Sequence, residues 1–475
     1  MQNSQKEQTL KKSIKPRGLR RPAKASLWYI GAGSLTKAVG VLTTPIFTRL
    51  LSESEYGQFS LYISWLGLAS IICSSVSQGS VIYKGIEKYK NKNESFIFSA
   101  LMVSFGFCGI ICLLLLSFSR FLGLDFALSA LISVQLICDT AVSVNIAKRR
   151  YNYQYLSVTA ISVIQAICAP FLGIALVSGG GLGYVGRIYG VLLASVFIAV
   201  PLIIITARSG VATLNKEMSL FLIKSAAPVL PVAVSSSISS QADKLLITAF
   251  MGKSALARYS VAHSLGSGLI MTIGALGSAL NPWIVRKIKS GQVSVVSRLL
   301  ERGVMILSAS VLFLIGGSPE VMMVLAPKSY LDALPAVTPI AISTIPSFIN
   351  SVCTVAIISK ESGGRASIAT VFTSAICAIA SLILIPLLGF SGAATAILIS
   401  QTILAAINLN SLLKIGLNGI FPIKKCFRAL LFAILWSPLL IISYESLILR
   451  LALLSVPLGV LVYNSIFLKE MILEK

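Results

Sequence analysis

Six ionisable side chains stand in or at the edges of long apolar runs: Lys37, Arg49, Asp139, Asp243, Lys244 and His263. At bilayer depth a charge is costly unless it faces a cavity or a partner, so each marks either a polar lumen or a structural ion pair. Lys37 lies ten residues into the run 27–50, about 15 Å from its start at 1.5 Å per residue, too deep to reach the interface easily. Ser34, Lys37, Thr44 and Thr48 share a narrow arc of that helix, and Gly33 and Gly40 leave room beside it. One cation in a stripe of hydroxyls suits an anionic ligand. The alternative is burial against a carboxylate elsewhere. Arg49 closes the same run beside Glu53 and Glu55, where it either holds a head group or anchors the helix at the interface.

The run 220–249 repeats the pattern. Ser237, Gln241 and Lys244 share one face, with Ser236, Ser240 and Asp243 on the next. Lys244 is then a second lumen cation facing Lys37, or Asp243 binds a neighbouring cation as a structural tie. Pro228 and Pro231 remove backbone hydrogen bonds, so this helix should bend. Asp139, with Gln135 a turn before it, either pairs with Lys37 or titrates in ion coupling. His263, the sole histidine, is a proton-coupling candidate or a polar filler near the interface. Lys224 and Arg302 lie near membrane boundaries and snorkel, while Lys148, Arg149 and Arg150 attract an anionic head group or set topology.

The elements that carry these groups follow from composition. Of 475 residues 56% are hydrophobic and 12% charged, about half the charge of a soluble protein. Apolar windows of membrane-crossing length recur from Leu27 to Leu468, and fourteen helical spans are expected. Runs such as 306–317 do not alternate in polarity, which argues against barrel strands. If the N-terminus is cytoplasmic, most of the 40 Lys and Arg fall on the cytoplasmic side, so both termini should face the cytoplasm. The net charge of +24 therefore reports topology and contact with anionic lipids rather than nucleic-acid binding. The eight cysteines read as small apolar residues, and Cys108 and Cys112, although one turn apart, have no His or carboxylate nearby to make a metal site. No cofactor is expected. Residues 1–26 form a basic cytoplasmic tail.

Internal repetition divides the rest. The corner TRLLSESEYGQFSLYIS (48–64) returns as FMGKSALARYSVAHS (250–264), KRRYNYQYLS (148–157) is matched by KESGGRASIA (360–369), and VGRIYGVLLAS (185–195) by SGAATAILIS (391–400). Two six-helix bundles, 27–206 and 220–413, are therefore expected in parallel orientation around a central cavity, with two additional helices at 427–468.

The first corner, QADKLLITAFMGKSALARYSVA (241–262), LNPWIVRKI (280–288), SPEVMMVLAPKSYLDALP (318–335) and LGFSGAATAILIS (388–400) resemble the polysaccharide-biosynthesis flippases of the O-antigen, Wzx type. These belong to the multidrug/oligosaccharidyl-lipid/polysaccharide exporter superfamily, and the resemblance runs from about residue 27 to 468. It implies translocation of an undecaprenyl-diphosphate-linked oligosaccharide from the cytoplasmic to the periplasmic leaflet of a bacterial inner membrane, with membrane lipids and a polysaccharide polymerase or chain-length protein as partners. A cation-coupled multidrug exporter of the same superfamily is the alternative, but the deep charges are balanced in sign rather than acidic. A membrane-embedded polymerase or ligase ranks lower, because no outer connection holds an acid/base constellation. No Gly-x4-Gly-Lys-Ser/Thr phosphate loop is present.

Overall fold

The computed structural model describes residues 20–209, 214–359, 363–416, 419 and 421–473. Among them no strand occurs, and the first half of the chain runs α1 (Arg20–Leu50), α2 (Glu53–Cys73), α3 (Gly79–Lys88), α4 (Asn93–Ser117), α5 (Phe126–Tyr151), α6 (Tyr155–Ser178), α7 (Gly183–Ser209), α8 (Lys216–Ala226) and α9 (Leu230–Met251). The second half runs α10 (Lys253–Gly266), α11 (Gly268–Lys289), α12 (Val293–Gly316), α13 (Ser318–Leu325), α14 (Val337–Ser359), α15 (Gly363–Leu388), α16 (Phe390–Lys414), α17 (Ile423–Ile442) and α18 (Leu447–Leu473). A 3-10 segment, Lys328–Ala336, joins α13 to α14. Outward-facing Phe121, Phe197 and Ile448 are 75% exposed or more, a surface that suits hydrocarbon and not water. The chain is an all-α polytopic membrane protein.

Among the described residues eleven helices are long and apolar enough to cross a bilayer, or twelve if α8 and α9, bent by 53°, form one span. The count of fourteen is not reached among these residues. The expected span 27–50 is α1, and the expected span 257–285 is divided at Ser267 into α10 and α11. The bend expected from the prolines is present: Pro228 lies in the break, and Pro231 opens α9 where no donor is required. The 360–369 segment of the repeat falls partly outside the described residues.

Helices α1, α2 and α4–α7 pack on one another, α9–α12 and α14–α16 form a second group, and α17 and α18 lie against α12. One core cluster draws on both groups, uniting Phe47, Tyr62 and Leu136 with Tyr259, Tyr330 and Val337. The other two belong to one group each, around Ile82, Phe96 and Ile97 or around Leu300, Ile345 and Ala429. The groups are thus joined through one of the three cores. It lies toward the end that the charge bias assigns to the outside, called the outer end below.

The two repeated corners build this junction. Helices α2 and α10 start 200 residues apart, at Glu53 and Lys253. A capping box opens α2: the Glu55 amide donates to Ser52 Oγ at 3.3 Å, and the Ser52 amide donates to Glu55 Oε2 at 3.0 Å. Gly252, at φ +85°, makes the equivalent turn before α10. Across the seam Tyr56 meets Tyr330 edge-on at 6.4 Å, Thr48 Oγ1 donates to the Leu325 carbonyl at 2.8 Å, and Arg258 reaches Glu53 at 3.0 Å, while Asp332 of its own side holds Arg258 at 2.7 Å.

Gly57 sets the closeness of the approach. A Cβ there would lie 1.9 Å from the Lys253 carbonyl oxygen, whereas one at Gly106 would meet nothing within 4 Å. Gly57→Ala should cost about 1–3 kcal/mol by overpacking and lower the thermal midpoint of purified protein. Gly106→Ala should leave the midpoint level or raise it, because alanine is the better helix former. Equal midpoints for the two variants would show the seam to be slack.

Candidate functional site

Lys37 projects from the middle of α1 into a cavity of about 370 Å³ between α1, the end of α5 and α6. Arg150 lines the same cavity, its guanidinium 5.3 Å from the centre of the Tyr29 ring, and Thr36, Ser162 and Gln165 add polar atoms. The lining includes no carboxylate. Among the described residues Lys37 makes no ion pair. Of the basic run that ends α5, Lys148 is held by Glu94 at 2.7 Å and Arg149 by Ser157, so Arg150 alone turns to the cavity.

Asp139 stands behind this cavity and is not paired with Lys37. Gln135 Nε2 donates to its Oδ1 at 2.9 Å and Ser195 Oγ at 3.3 Å, while Gln165 Nε2 donates to Ser195 at 2.8 Å. The carboxylate is therefore solvated by neutral dipoles from α5, α6 and α7. Gln165 connects this network to the cavity wall. The visible signal for it was an amide inside the apolar run 158–177, which says nothing about which helix it faces.

A second cavity, of about 330 Å³, opens among α9, α10, α15 and α16. Its wall is rich in hydroxyls, among them Ser236, Ser240, Thr373, Ser374 and Ser400, and it includes Asp243 and His263. Asp243 is 2% exposed. Its Oδ2 accepts from Tyr259 Oη at 2.7 Å and lies 3.8 Å from His263 Nε2, and its Oδ1 has no hydrogen-bond partner among the described residues. A buried carboxylate with one open oxygen, ringed by hydroxyls, can hold a proton or a small cation. Among the described residues no three His, Cys, Asp or Glu converge as metal ligands.

Lys244 lines neither cavity. Its Nζ donates to Gln241 Oε1 at 3.4 Å, and the Gln241 side chain packs against Gly67 of α2, which places both on the seam between the groups. Arg49 lies at the outer end, donating to the carbonyls of Pro45 at 3.0 Å, Val324 at 3.1 Å and Met323 at 3.3 Å. The structure brings Asp243 and His263 together, sets Asp139 close behind the Lys37 cavity, and keeps Lys37, Lys244 and Arg49 apart. It also shows a cation that single-residue reasoning passed over. Arg187 of α7 sits against Phe47, Tyr56 and Phe59, 4.0, 4.7 and 3.7 Å from their ring centres. Those rings lie more than a hundred residues before it in sequence, so no local motif announces the cage.

The overall fold is shared with known transporters. It superposes on the lipid II flippase MurJ in an inward closed conformation with a TM-score of 0.70 at 16% identity, covering 94% of this chain and 99% of that one. An inward-facing multidrug resistance MATE family transporter of the MOP superfamily follows at 0.62 and 17%, covering 80% and 94%. A MOP superfamily transporter from Pyrococcus furiosus, described as having a binding pocket of reversed polarity, matches at 0.57 and 16%, covering 83% and 96%. A sequence search of curated proteins gives no significant match. The family model described as polysaccharide biosynthesis protein matches residues 23–287, more than half of the chain. The chain therefore belongs to the polysaccharide biosynthesis protein family.

Proposed function

We propose that the protein is a flippase that carries undecaprenyl-diphosphate-linked oligosaccharide repeat units, of O-antigen or another surface polysaccharide, from the cytoplasmic to the periplasmic leaflet of a bacterial inner membrane. The observation that carries this reading is the pairing of Lys37 with Arg150 in one acid-free cavity among membrane-spanning helices. Two cations are costly there unless an anion joins them, and a diphosphate supplies the opposing charge. In this reading the residues 27–206 and 220–413 are the two bundles that rock against each other, residues 427–468 are accessory, and both termini face the cytoplasm. Lys244, on the seam, meets the substrate when the groups part, and Arg49 acts on the head group at the outer end. A polymerase and chain-length proteins take up the product.

Asp243, with Tyr259 and His263, supplies the coupling site in this reading, where a proton or a monovalent cation neutralises the buried carboxylate. Asp139 keeps the wall of the Lys37 cavity in place. The MATE-like fold keeps a cation-coupled drug exporter as the second reading. The sign of the cavity argues against it, since a cationic drug would meet Lys37 and Arg150.

The deciding measurement is the leaflet position of the lipid-linked oligosaccharide in cells lacking the protein, read with a membrane-impermeant probe. Repeat units should be trapped on the cytoplasmic face, and normal arrival at the periplasmic face would overturn the flippase reading. Lys37→Ala should reduce polymer export about tenfold or more at matched abundance, the scale of one lost charge-assisted hydrogen bond, and Lys244→Ala should reduce it as well. Wild-type export in both variants would remove the cationic path. Asp243→Asn should abolish the response of transport to collapse of the ion gradient, and an unchanged response would place coupling elsewhere.

A further inference from the structure

The contact between α1 and α6 has two different sides. On one lies the cavity of Lys37 and Arg150. On the other is a groove of about 580 Å³ whose walls are Trp28, Gly31 and Leu35 of α1 with Leu156, Ala160 and Val163 of α6, and its lining contains no charged residue. Each helix presents positions three and four apart to this groove, the spacing of one helical face. The cavity uses the adjoining face of α1, with Tyr29, Gly33 and Thr36. Ala32 lines both, at 7% exposure, and Thr159 opposite it is 9% exposed. Only small side chains separate the apolar side from the cationic side. At one end Trp28 stacks on Tyr155, ring centres 6.3 Å apart, while Arg150 covers Tyr29, so neighbouring aromatic residues flank the two sides.

We propose that a polyprenyl diphosphate binds astride this seam, its chain in the groove and its diphosphate on Lys37 and Arg150. The assignment rests on the flippase reading and deepens it, since it states where the lipid lies while the head group is inside. An apolar groove alone would accept any hydrocarbon chain. The cation pair immediately across Ala32, with no carboxylate beside it, selects an amphiphile whose head carries more than one negative charge and is attached directly to a single chain. The thin partition lets the head lie inside while the chain stays in the bilayer, so the hydrocarbon never enters the polar space.

The test uses purified full-length protein in phosphatidylcholine nanodiscs, titrated with undecaprenyl diphosphate and separately with inorganic pyrophosphate. Gly31→Phe places a ring in the groove from a position where the added Cβ has nothing within 4 Å. It should weaken undecaprenyl diphosphate binding about tenfold or more, through lost burial of the chain, and leave pyrophosphate within about twofold. Lys37→Gln should weaken both ligands. Leu42→Phe, on an α1 site 71% exposed and outside the groove lining, should change neither. Undecaprenyl diphosphate binding in Gly31→Phe equal to wild type overturns the groove assignment. So does displacement of the bound ligand by equimolar phosphatidylglycerol, which would make the groove an ordinary lipid contact. The two readings fail separately: binding sensitive to Gly31→Phe together with a normal leaflet distribution in cells lacking the protein keeps the site and removes the flippase, whereas trapped repeat units with binding indifferent to Gly31→Phe do the reverse.

Discussion

A charge within the hydrocarbon must be surrounded by something other than hydrocarbon, whether an opposite charge, a ring face, a set of dipoles or an open cavity, and most of the internal architecture of this chain answers that demand. Each buried charge meets it differently. Arg187 is wrapped by the faces of Phe47, Tyr56 and Phe59, which draws α1, α2 and α7 together near the outer end. Asp139 is held by Gln135 and Ser195, with Gln165 behind them. Asp243 has Tyr259 and a wall of hydroxyls. Lys37 has the open cavity instead.

The same demand explains why the groups meet where they do. At the outer end both contribute to one apolar core, and Gly57 lets the backbone of α2 lie almost on that of α10. Away from that end each group keeps a core of its own. The cavities of Lys37 and of Asp243 lie within the groups, between α1 and α6 and among α9, α15 and α16, and the seam carries aromatic rings and small residues.

Much of this was legible in the chain. Lys37 was conspicuous because a lone lysine interrupts an apolar run, and the bend before α9 because Pro228 and Pro231 sit in one. The repeated corner was visible as matched residues, and the structure adds that its two copies touch. What stayed hidden depends on rotation about helix axes and on distant neighbours. Asp139 could be placed at membrane depth, but whether it faced Lys37 or Gln165 is decided by a fraction of a turn. Arg150 read as one of three topogenic cations, and only the pairing of Lys148 with Glu94 and Arg149 with Ser157 separates it from the others. The break at Ser267, which divides one expected span into α10 and α11, has no proline to announce it.

Under the flippase reading the outer end must part, and its contacts are of the kind that part cheaply. Thr48 donates to the carbonyl of Leu325 and Arg49 to those of Met323 and Val324, all in α13, and each such hydrogen bond is worth about 1 kcal/mol net because water replaces it. The ion pair of Arg258 with Glu53 is partly exposed, which limits it to about 1 kcal/mol or less. The costly solvation shells lie elsewhere: the cage of Arg187 is built within the first group and the partners of Asp243 within the second. Tyr56 is the one ring shared between cage and seam, and it can leave Tyr330 while keeping Arg187. Each group thus carries its own buried charge through the motion already solvated, and opening exposes apolar core and weak hydrogen bonds but strands no ion.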